Sequence, residues 1–191
     1  FVDNVVSGDV VDIEVYKKTS KYCLAKPVKW LKMSNNRVGC QCKYSDKCGG
    51  CDFECVSEDY YYSLKADILC DSITKVFPYF IKNDLNIFKV GYGKRRRISL
   101  NYKDGIFGFF KKSSNEIVQI DKCINVDSDI NSIIEKLSGL KLDGLSSVDI
   151  TKVENGVVLN FNFIHDFNIN IFKKLDFLKQ YVILISYCVN D

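Results

Sequence analysis

Alternation of apolar and polar residues near the start of the chain predicts short β-strands. Residues 10–16 alternate in this way, and a second apolar stretch at 22–28 follows a polar turn. About thirty residues are too few to close a barrel, so a small barrel here needs further strands and has an exposed edge. We therefore predict part of a small β-barrel over residues 1–36.

Helical periodicity begins after residue 57. Ser57 is a suitable N-cap, and Pro78 ends the pattern, so a helix is predicted from there to about Phe77. Its apolar stripe consists of Tyr61, Leu64, Ile68 and Ile73.

The rest of the chain alternates between strand and helix patterns. Strands are predicted at 87–103 and 105–120 around an Asp104-Gly105 turn, and at 147–153 and 157–163 around an Asn155-Gly156 turn. Helices are predicted at 128–139 and 168–180, and a last strand at 181–189. The predicted fold class is α+β, with a mixed α/β central domain over residues 58–191.

Composition indicates a soluble globular protein. The chain has 191 residues, of which 47% are apolar and 27% charged, and a net charge of only +3. A nucleic-acid partner must therefore meet a local basic patch. No apolar run is long enough to span a membrane, so no membrane partner is expected.

The cysteines indicate a metal site in a reducing compartment. Their number, nine, is odd, and no secretory leader opens the chain, so we expect a cytoplasmic protein with reduced thiols. Residues 37–57 hold five of the nine in a stretch with little periodicity, which is typical of a loop held by a metal.

Three of these cysteines form a compact motif. Cys42, Cys48 and Cys51 lie in Cys-x5-Cys-Gly-Gly-Cys, where the glycines allow the backbone to wrap closely around one centre. A fourth ligand is required, and Cys123 is the candidate because it follows a predicted strand. Zinc and an iron-sulfur cluster both suit thiolate ligands, and spacing alone does not separate them.

The other cysteines are given no chemistry. Cys40 and Cys55 flank the loop and are interpreted as unligated neighbours, although either is a possible substitute ligand. Cys23, Cys70 and Cys188 lie in apolar runs and are predicted to be buried small hydrophobic side chains.

Two blocks of the sequence resemble one family. Residues 42–51 are similar to the cluster motif of bacterial iron-sulfur RNA uracil-C5 methyltransferases, and Lys65 stands where that family has a lysine in the following helix. Residues 91–100, followed by 108–109 and 117–123, are similar in order and spacing to the central domain of the same family.

This resemblance implies a cofactor, its ligands and a partner. The implied ligands of a [4Fe-4S] cluster are Cys42, Cys48, Cys51 and Cys123. Residues 1–36 are implied to be the tail of a TRAM barrel, which is OB-like, and residues 37–57 the cluster loop. The implied partner is ribosomal or transfer RNA.

The basic run Lys94-Arg95-Arg96-Arg97 is the candidate RNA contact, with Tyr92 as a stacking surface for an unpaired base. Tyr102 is a second candidate for stacking, and Lys111 and Lys112 could extend the patch. Four consecutive residues on a strand alternate between faces, so at most two share one surface. The plain alternative is a solvated strand face.

Other candidate motifs are rejected. Gly91-x-Gly93 lacks the further glycine and Ser/Thr spacing of a phosphate loop. His165 lies where a strand gives way to a loop, and a surface or half-buried structural role is expected.

Catalysis by this family needs parts that the sequence does not supply. Methylation at uracil C5 requires a nucleophilic cysteine, a general base and a Rossmann domain for S-adenosylmethionine. No catalytic residue is assigned, the Rossmann domain is expected to be absent, and the chain alone is predicted to be inactive. We expect a fragment or a truncated product with a separately encoded catalytic domain. The alternative is a non-catalytic iron-sulfur or zinc RNA-binding module.

Overall fold

The computed structural model describes residues 1–165 and 169–189, and the chain divides into two compact units. The first unit comprises Phe1–Gln41 and Asp52–Lys89. The second comprises Cys42–Cys51 and Val90–Asp191. The cysteine loop and Cys123 therefore belong to the same unit, although about seventy residues separate them in sequence.

The first unit begins with a two-stranded antiparallel ribbon. Strands β1 (Val10–Lys18) and β2 (Cys23–Lys32) pair with Val11 opposite Trp30, which confirms the two predicted strands. Several apolar side chains of the ribbon are solvent-exposed, among them Ile13 and Val28. No further strand pairs with this ribbon among the described residues of the unit, so the barrel stays a prediction.

Helix α1 (Glu58–Thr74) completes the first unit with a 3-10 turn at Lys82–Asp84. Ser57 is its N-cap residue, as predicted, but the helix ends before Phe77. The amides of residues 76 and 77 both turn back to the carbonyl of Ile73. The residue before a proline is disfavoured in helical conformation, which explains an end ahead of Pro78.

The predicted apolar stripe of α1 is not buried in a hydrophobic core of its unit. Ala66 is the buried residue of the helix, and the side chain of Ile68 is 45% exposed. In the described part of the chain, no helix has both the length and the apolar character needed to cross a bilayer.

A six-stranded sheet dominates the second unit. Its order is β5-β4-β3-β6-β7-β8, with every neighbouring pair antiparallel except the parallel β7 and β8. The strands are β3 (Arg97–Lys103), β4 (Ile106–Phe110), β5 (Ile117–Gln119), β6 (Leu145–Val153), β7 (Gly156–Phe163) and β8 (Leu184–Val189).

The β3-β4 hairpin is confirmed. Lys103 pairs with Ile106, which leaves Asp104 and Gly105 as a two-residue turn. Both turn residues have positive φ, 51° and 87°, as a type I′ turn requires. The chemistry of Asp-Gly therefore fixes this register.

Helix α2 (Ser128–Leu137) covers one face of the sheet. Its apolar residues at helical spacing are all buried, as predicted: Ile130, Ile133, Ile134 and Leu137. They pack with alternate residues of β7, whose buried positions are every second residue. A 3-10 helix at Ile169–Gln180 adds Leu175 and Leu178 to this core. The first residue of the predicted helix, 168, lies outside the described residues.

Several predicted strand limits are wrong. The strand predicted from residue 87 begins only at Arg97, because Gly93 has a φ of 73° and the amides at 93 and 95 bind carbonyls at 124 and 125 instead of a sheet neighbour. The stretch 105–120 forms two strands, β4 and β5. The turn after β6 consists of Glu154 and Asn155, since Gly156 already pairs with Val153.

A buried ion pair holds the end of the ribbon in the first unit. The carboxylate of Asp9 accepts the amides of Val6 at 2.7 Å and Ser34 at 2.8 Å, and it binds the guanidinium of Arg37. The hydrogen bond from Arg37 holds the pKa of Asp9 well below its usual range. The side chains of Asp9 and Arg37 are 1% and 14% exposed, so solvent screens the pair little.

Replacing Asp9 by Asn should therefore destabilise the first unit at neutral pH by about 2–3 kcal/mol. The folded pKa of Asp9 is depressed, so its contribution is complete above the unfolded value of about 4 and is lost as pH falls below it. The difference in unfolding free energy between wild type and variant should therefore shrink below pH 4.

Trp30, the single tryptophan, lies in this unit, and its fluorescence during denaturant unfolding reports the transition. Glu14→Gln, which breaks the exposed pair with Lys26, is the control and should cost less than about 1 kcal/mol. An equal loss of unfolding free energy in both variants would show that burial does not strengthen the pair of Asp9 and Arg37.

Candidate metal centre

The cysteine loop is a series of tight turns. The amides of Lys47 and Cys48 both donate to the carbonyl of Tyr44, and the amide of Ser45 donates to the carbonyl of Cys42. These bonds bend the backbone between the first and second cysteine of the motif. Cys42 and Cys48 are therefore brought to one side of a short loop.

The loop is attached to the end of β4. Cys48 forms an isolated antiparallel bridge with Lys111, and the amide of Gly49 donates to the carbonyl of Phe110 at 2.9 Å. A Cβ on Gly49 would lie 3.0 Å from both that carbonyl oxygen and the amide nitrogen of Lys112. This position therefore requires glycine because two backbones approach closely.

A second attachment joins the loop to the segment after β5. The ammonium group of Lys43 and the hydroxyl of Tyr44 donate to the two carboxylate oxygens of Asp121, at 2.5 and 2.8 Å. The hydrogen bond from Lys43, followed by that from Tyr44, lowers the pKa of Asp121. Asp121 lies two residues before Cys123, so these contacts bring the fourth predicted ligand to the loop.

Cys123 lies in a turn held by α2. Its amide donates to the side-chain oxygen of Asn131 at 2.8 Å, and the side-chain amide of Asn131 donates to the Cys123 carbonyl at 3.0 Å. Asp127 caps α2 by accepting the amide of Asp129. We refer to residues 121–127 as the cysteine arm.

The four predicted ligands share one neighbourhood of the second unit. Burial raises the pKa of the Cys123 thiol, and the nearby thiols of Cys42 and Cys48 raise it further. The side chain of Asn125, on the cysteine arm, donates to the sulfur of Cys51 at 3.2 Å. Cys51 thus contacts the arm directly, and the thiols of Cys42 and Cys48 act on Cys123 electrostatically.

Among residues 1–165 and 169–189, no three His, Cys, Asp or Glu side chains are close enough together to hold one metal ion. The thiols of Cys42, Cys48, Cys51 and Cys123 are each partly exposed and are not joined in disulfides.

The basic run lies beside the cysteine arm rather than within a strand. Arg97 alone belongs to β3, whereas Arg95 forms a parallel bridge with Val126 and its amide donates to the carbonyl of Asn125. The positive charge of Arg95 lowers the pKa of the Cys123 thiol and so partly offsets the effect of burial. All four basic side chains of the run are exposed, as is Tyr92 at 49%.

The remaining candidates for RNA contact differ in their surroundings. Tyr102 packs against the core, and its hydroxyl accepts the amide of Leu142, so its ring is not a free stacking surface. Lys111 pairs with Glu116 at 3.3 Å. In the first unit, the ammonium group of Lys65 lies over the rings of Phe53 and Tyr61.

Sequence reasoning missed two features of the cysteine-rich region. Cys40 and Cys55, interpreted as unligated neighbours, form a disulfide within the first unit. The two asparagines that contact the arm and the loop, Asn125 and Asn131, were not singled out either. The spacing of Asn131, four residues after the N-cap Asp127, was the available signal, since that position faces back toward the preceding turn.

Predictions for the other cysteines need correction. Cys188 is exposed, and Cys23 and Cys70 are only partly buried. Cys188 lies on β8 at the edge of the sheet, where its thiol donates to Asn162. An apolar run at a sheet edge does not guarantee burial. His165 is exposed, in agreement with its predicted surface role.

Comparison with known proteins finds similar sequences among RNA uracil-C5 methyltransferases. No protein-family model matches it. The 23S rRNA (uracil(1939)-C(5))-methyltransferase RlmD of Haemophilus parainfluenzae is 29% identical over 170 residues, which cover 83% of this chain and 39% of that protein. RlmD of Vibrio parahaemolyticus is 28% identical over 167 residues, covering 82% of this chain and 38% of that protein.

A solved structure shares the fold. The tRNA (uracil-54, C5)-methyltransferase of Pyrococcus abyssi, in complex with S-adenosyl-L-homocysteine, superimposes with a TM-score of 0.66 at 18% identity. The match covers 99% of this chain and 46% of that protein.

The chain thus shares its mixed α/β fold with part of that methyltransferase. Its curated homologues are RNA uracil-C5 methyltransferases, as the cysteine motif and the central block implied, and it matches their N-terminal part. It spans about two fifths of the length of the curated relatives.

Replacing Gly49 by Ala should loosen the loop at its attachment to β4. The added Cβ forces the backbone away from Phe110, at a cost of about 1–3 kcal/mol. Amide hydrogen exchange across residues 42–51 should become several-fold faster, as measured by mass spectrometry. Gly91→Ala is the control, because a Cβ there meets nothing within 4 Å. Unchanged exchange in the Gly49 variant would show that the loop is held elsewhere.

Proposed function

We propose that this chain is the N-terminal and central part of an S-adenosylmethionine-dependent RNA uracil-C5 methyltransferase, and that it supplies RNA recognition and a [4Fe-4S] site. The observation that carries the proposal is the attachment of the cysteine loop to the cysteine arm, by Lys43 and Tyr44 to Asp121 and by Asn125 to Cys51. Two remote parts of the sequence, each with predicted ligands, thus lie side by side in a chain homologous to that family.

The proposed ligands are Cys42, Cys48, Cys51 and Cys123. When bound, the cluster would supply iron-sulfur bonds that link the loop to the arm, in a structural role. Four thiolates around a single zinc ion stand close together, because each Zn–S bond is about 2.3 Å long. A cluster of four irons is larger, so its four thiolates stand farther apart than those around one zinc ion.

RNA recognition is assigned to the exposed basic run. Lys94, Arg95, Arg96 and Arg97 are proposed to contact phosphate groups, with Tyr92 as a stacking surface. The backbone of this run is bonded to the arm at residues 124–127. Ligation of Cys123 should therefore also fix the position of the run.

The rest of the whole protein's activity is assigned outside residues 1–191. The nucleophile, the general base and the binding domain for S-adenosylmethionine are proposed to lie in a C-terminal part corresponding to what the curated relatives have beyond the matched region. Residues 1–36 are proposed as part of a TRAM-like barrel, and the exposed apolar side chains of the β1-β2 ribbon are in keeping with that. The chain alone is expected to transfer no methyl group.

Protein purified without oxygen should contain close to four iron atoms and four sulfides per chain and be brown. Cys51→Ser and Cys123→Ala should each lose most of the iron, since each removes one of four ligands. Iron, acid-labile sulfide and zinc analysis, with visible absorption, are the measurements. Cys70→Ser is the matched control, because Cys70 lies on α1 in the first unit, and it should retain the full iron content.

Two results would contradict the cluster. A colourless protein with stoichiometric zinc favours the zinc-binding alternative. A full iron content in Cys123→Ala removes that residue from the ligand set.

The double variant Lys94→Ala/Arg96→Ala should bind a short single-stranded uridine-containing RNA more weakly. If both side chains contact phosphate groups, the negative slope of log K against log salt should become less steep by about 1.4. Fluorescence anisotropy over a salt series measures this slope. The matched control, Lys173→Ala/Lys179→Ala, removes the same charge from exposed positions of the 3-10 helix. Equal slopes for the two double variants would mean that the basic run is only a solvated surface.

A further inference from the structure

The side chain of Asn125 contacts a sulfur of the cysteine loop. Its side-chain amide donates to the sulfur of Cys51 at 3.2 Å. Asn125 itself lies on the cysteine arm, two residues after Cys123. One residue of the arm therefore contacts a thiol from the loop.

The backbone of Asn125 is itself held in place. Its carbonyl accepts the amide of Arg95 at 2.9 Å, and the adjacent carbonyl of Ile124 accepts the amide of Gly93 at 2.8 Å. The side chain is partly buried, so its hydrogen bond to Cys51 is only partly screened by solvent. The side-chain donor of Asn125 is thus oriented by the fold before any group is bound.

Asn131 orients the same segment from α2. Its side-chain oxygen accepts the Cys123 amide, and its side-chain nitrogen donates to the carbonyls of Cys123, at 3.0 Å, and Val126, at 3.3 Å. This two-way contact with one backbone unit resembles what a neighbouring strand provides. Cys123 follows β5, and among the described residues no strand pairs with it. Asn131 supplies the hydrogen bonds that a neighbouring strand would otherwise make.

Hydrogen bonds to the ligand sulfurs of an iron-sulfur cluster stabilise its more negative, reduced form. We propose that Asn125 is a positioning residue that tunes the cluster through its side-chain donor to Cys51, and that Asn131 holds the turn from which it acts. This inference rests on the proposed cluster. It assigns different consequences to the two asparagines, because one contacts sulfur and the other contacts only backbone.

The test measures iron content and reduction potential in the same variants. Asn125→Ala removes the donor to Cys51 but keeps the backbone amide, so iron content should be retained. Its potential, from a redox titration followed by visible absorption, should shift to more negative values. Asn125→Asp has nearly the same shape and replaces the donor by a carboxylate, so the shift should be in the same direction and larger.

The Asn131 variants should change the iron content and leave the reduction potential unchanged. Asn131→Ala releases the backbone of Cys123 and should lower the iron content per chain, whereas the cluster that remains should keep a potential near the wild-type value. Asn131→Asp keeps an acceptor for the Cys123 amide and should recover part of the iron. Asn155→Ala, at an exposed turn position in the same unit, is the control and should change neither quantity.

The outcomes separate this inference from the proposed function. Wild-type protein that binds no iron overturns both. Wild-type protein with a full cluster, together with unchanged potentials in both Asn125 variants, overturns only the tuning role. Loss of the cluster from Asn125→Ala also overturns that role, because the contact with Cys51 would then be needed to hold the cluster rather than to tune its potential.

Discussion

The attachment of a short cysteine loop to the edge of a packed sheet is the constraint on which the candidate site depends. The loop has few apolar side chains of its own, so its conformation comes from hydrogen bonds to two segments that the core already fixes. One is the end of β4, where Gly49 allows the backbones to meet at Phe110. The other is the segment after β5, where Asp121 accepts two donors from the loop.

The cysteine arm connects the core, the thiols and the basic run. Helix α2 is buried along its apolar face, and it holds the backbone of Cys123 through Asn131. The same arm accepts the backbone amides of the segment that carries Arg95. A rigid core thus orients the four cysteines and a basic segment through a few backbone contacts. These contacts are more specific in direction than the apolar packing beneath them.

The two units differ in how completely their apolar side chains are buried. The second has a continuous core between its sheet, α2 and the 3-10 helix. In the first, the ribbon and α1 leave many apolar side chains exposed, and a buried ion pair between Asp9 and Arg37 ties the ribbon to the segment that follows it.

Local signals in the sequence determined much of the fold. The Asp104-Gly105 turn, the β6-β7 pair and the apolar face of α2 depend on neighbouring residues and were predicted, as were the cysteine motif and the homology to RNA uracil-C5 methyltransferases. The tertiary structure alone decided which segments pair with the arm, where β3 begins, and that Cys40 bonds to Cys55. It also decided the contacts of Asn125 and Asn131. Those features depend on segments far apart in the chain, and hydrophobic periodicity carries information only about the element in which it occurs.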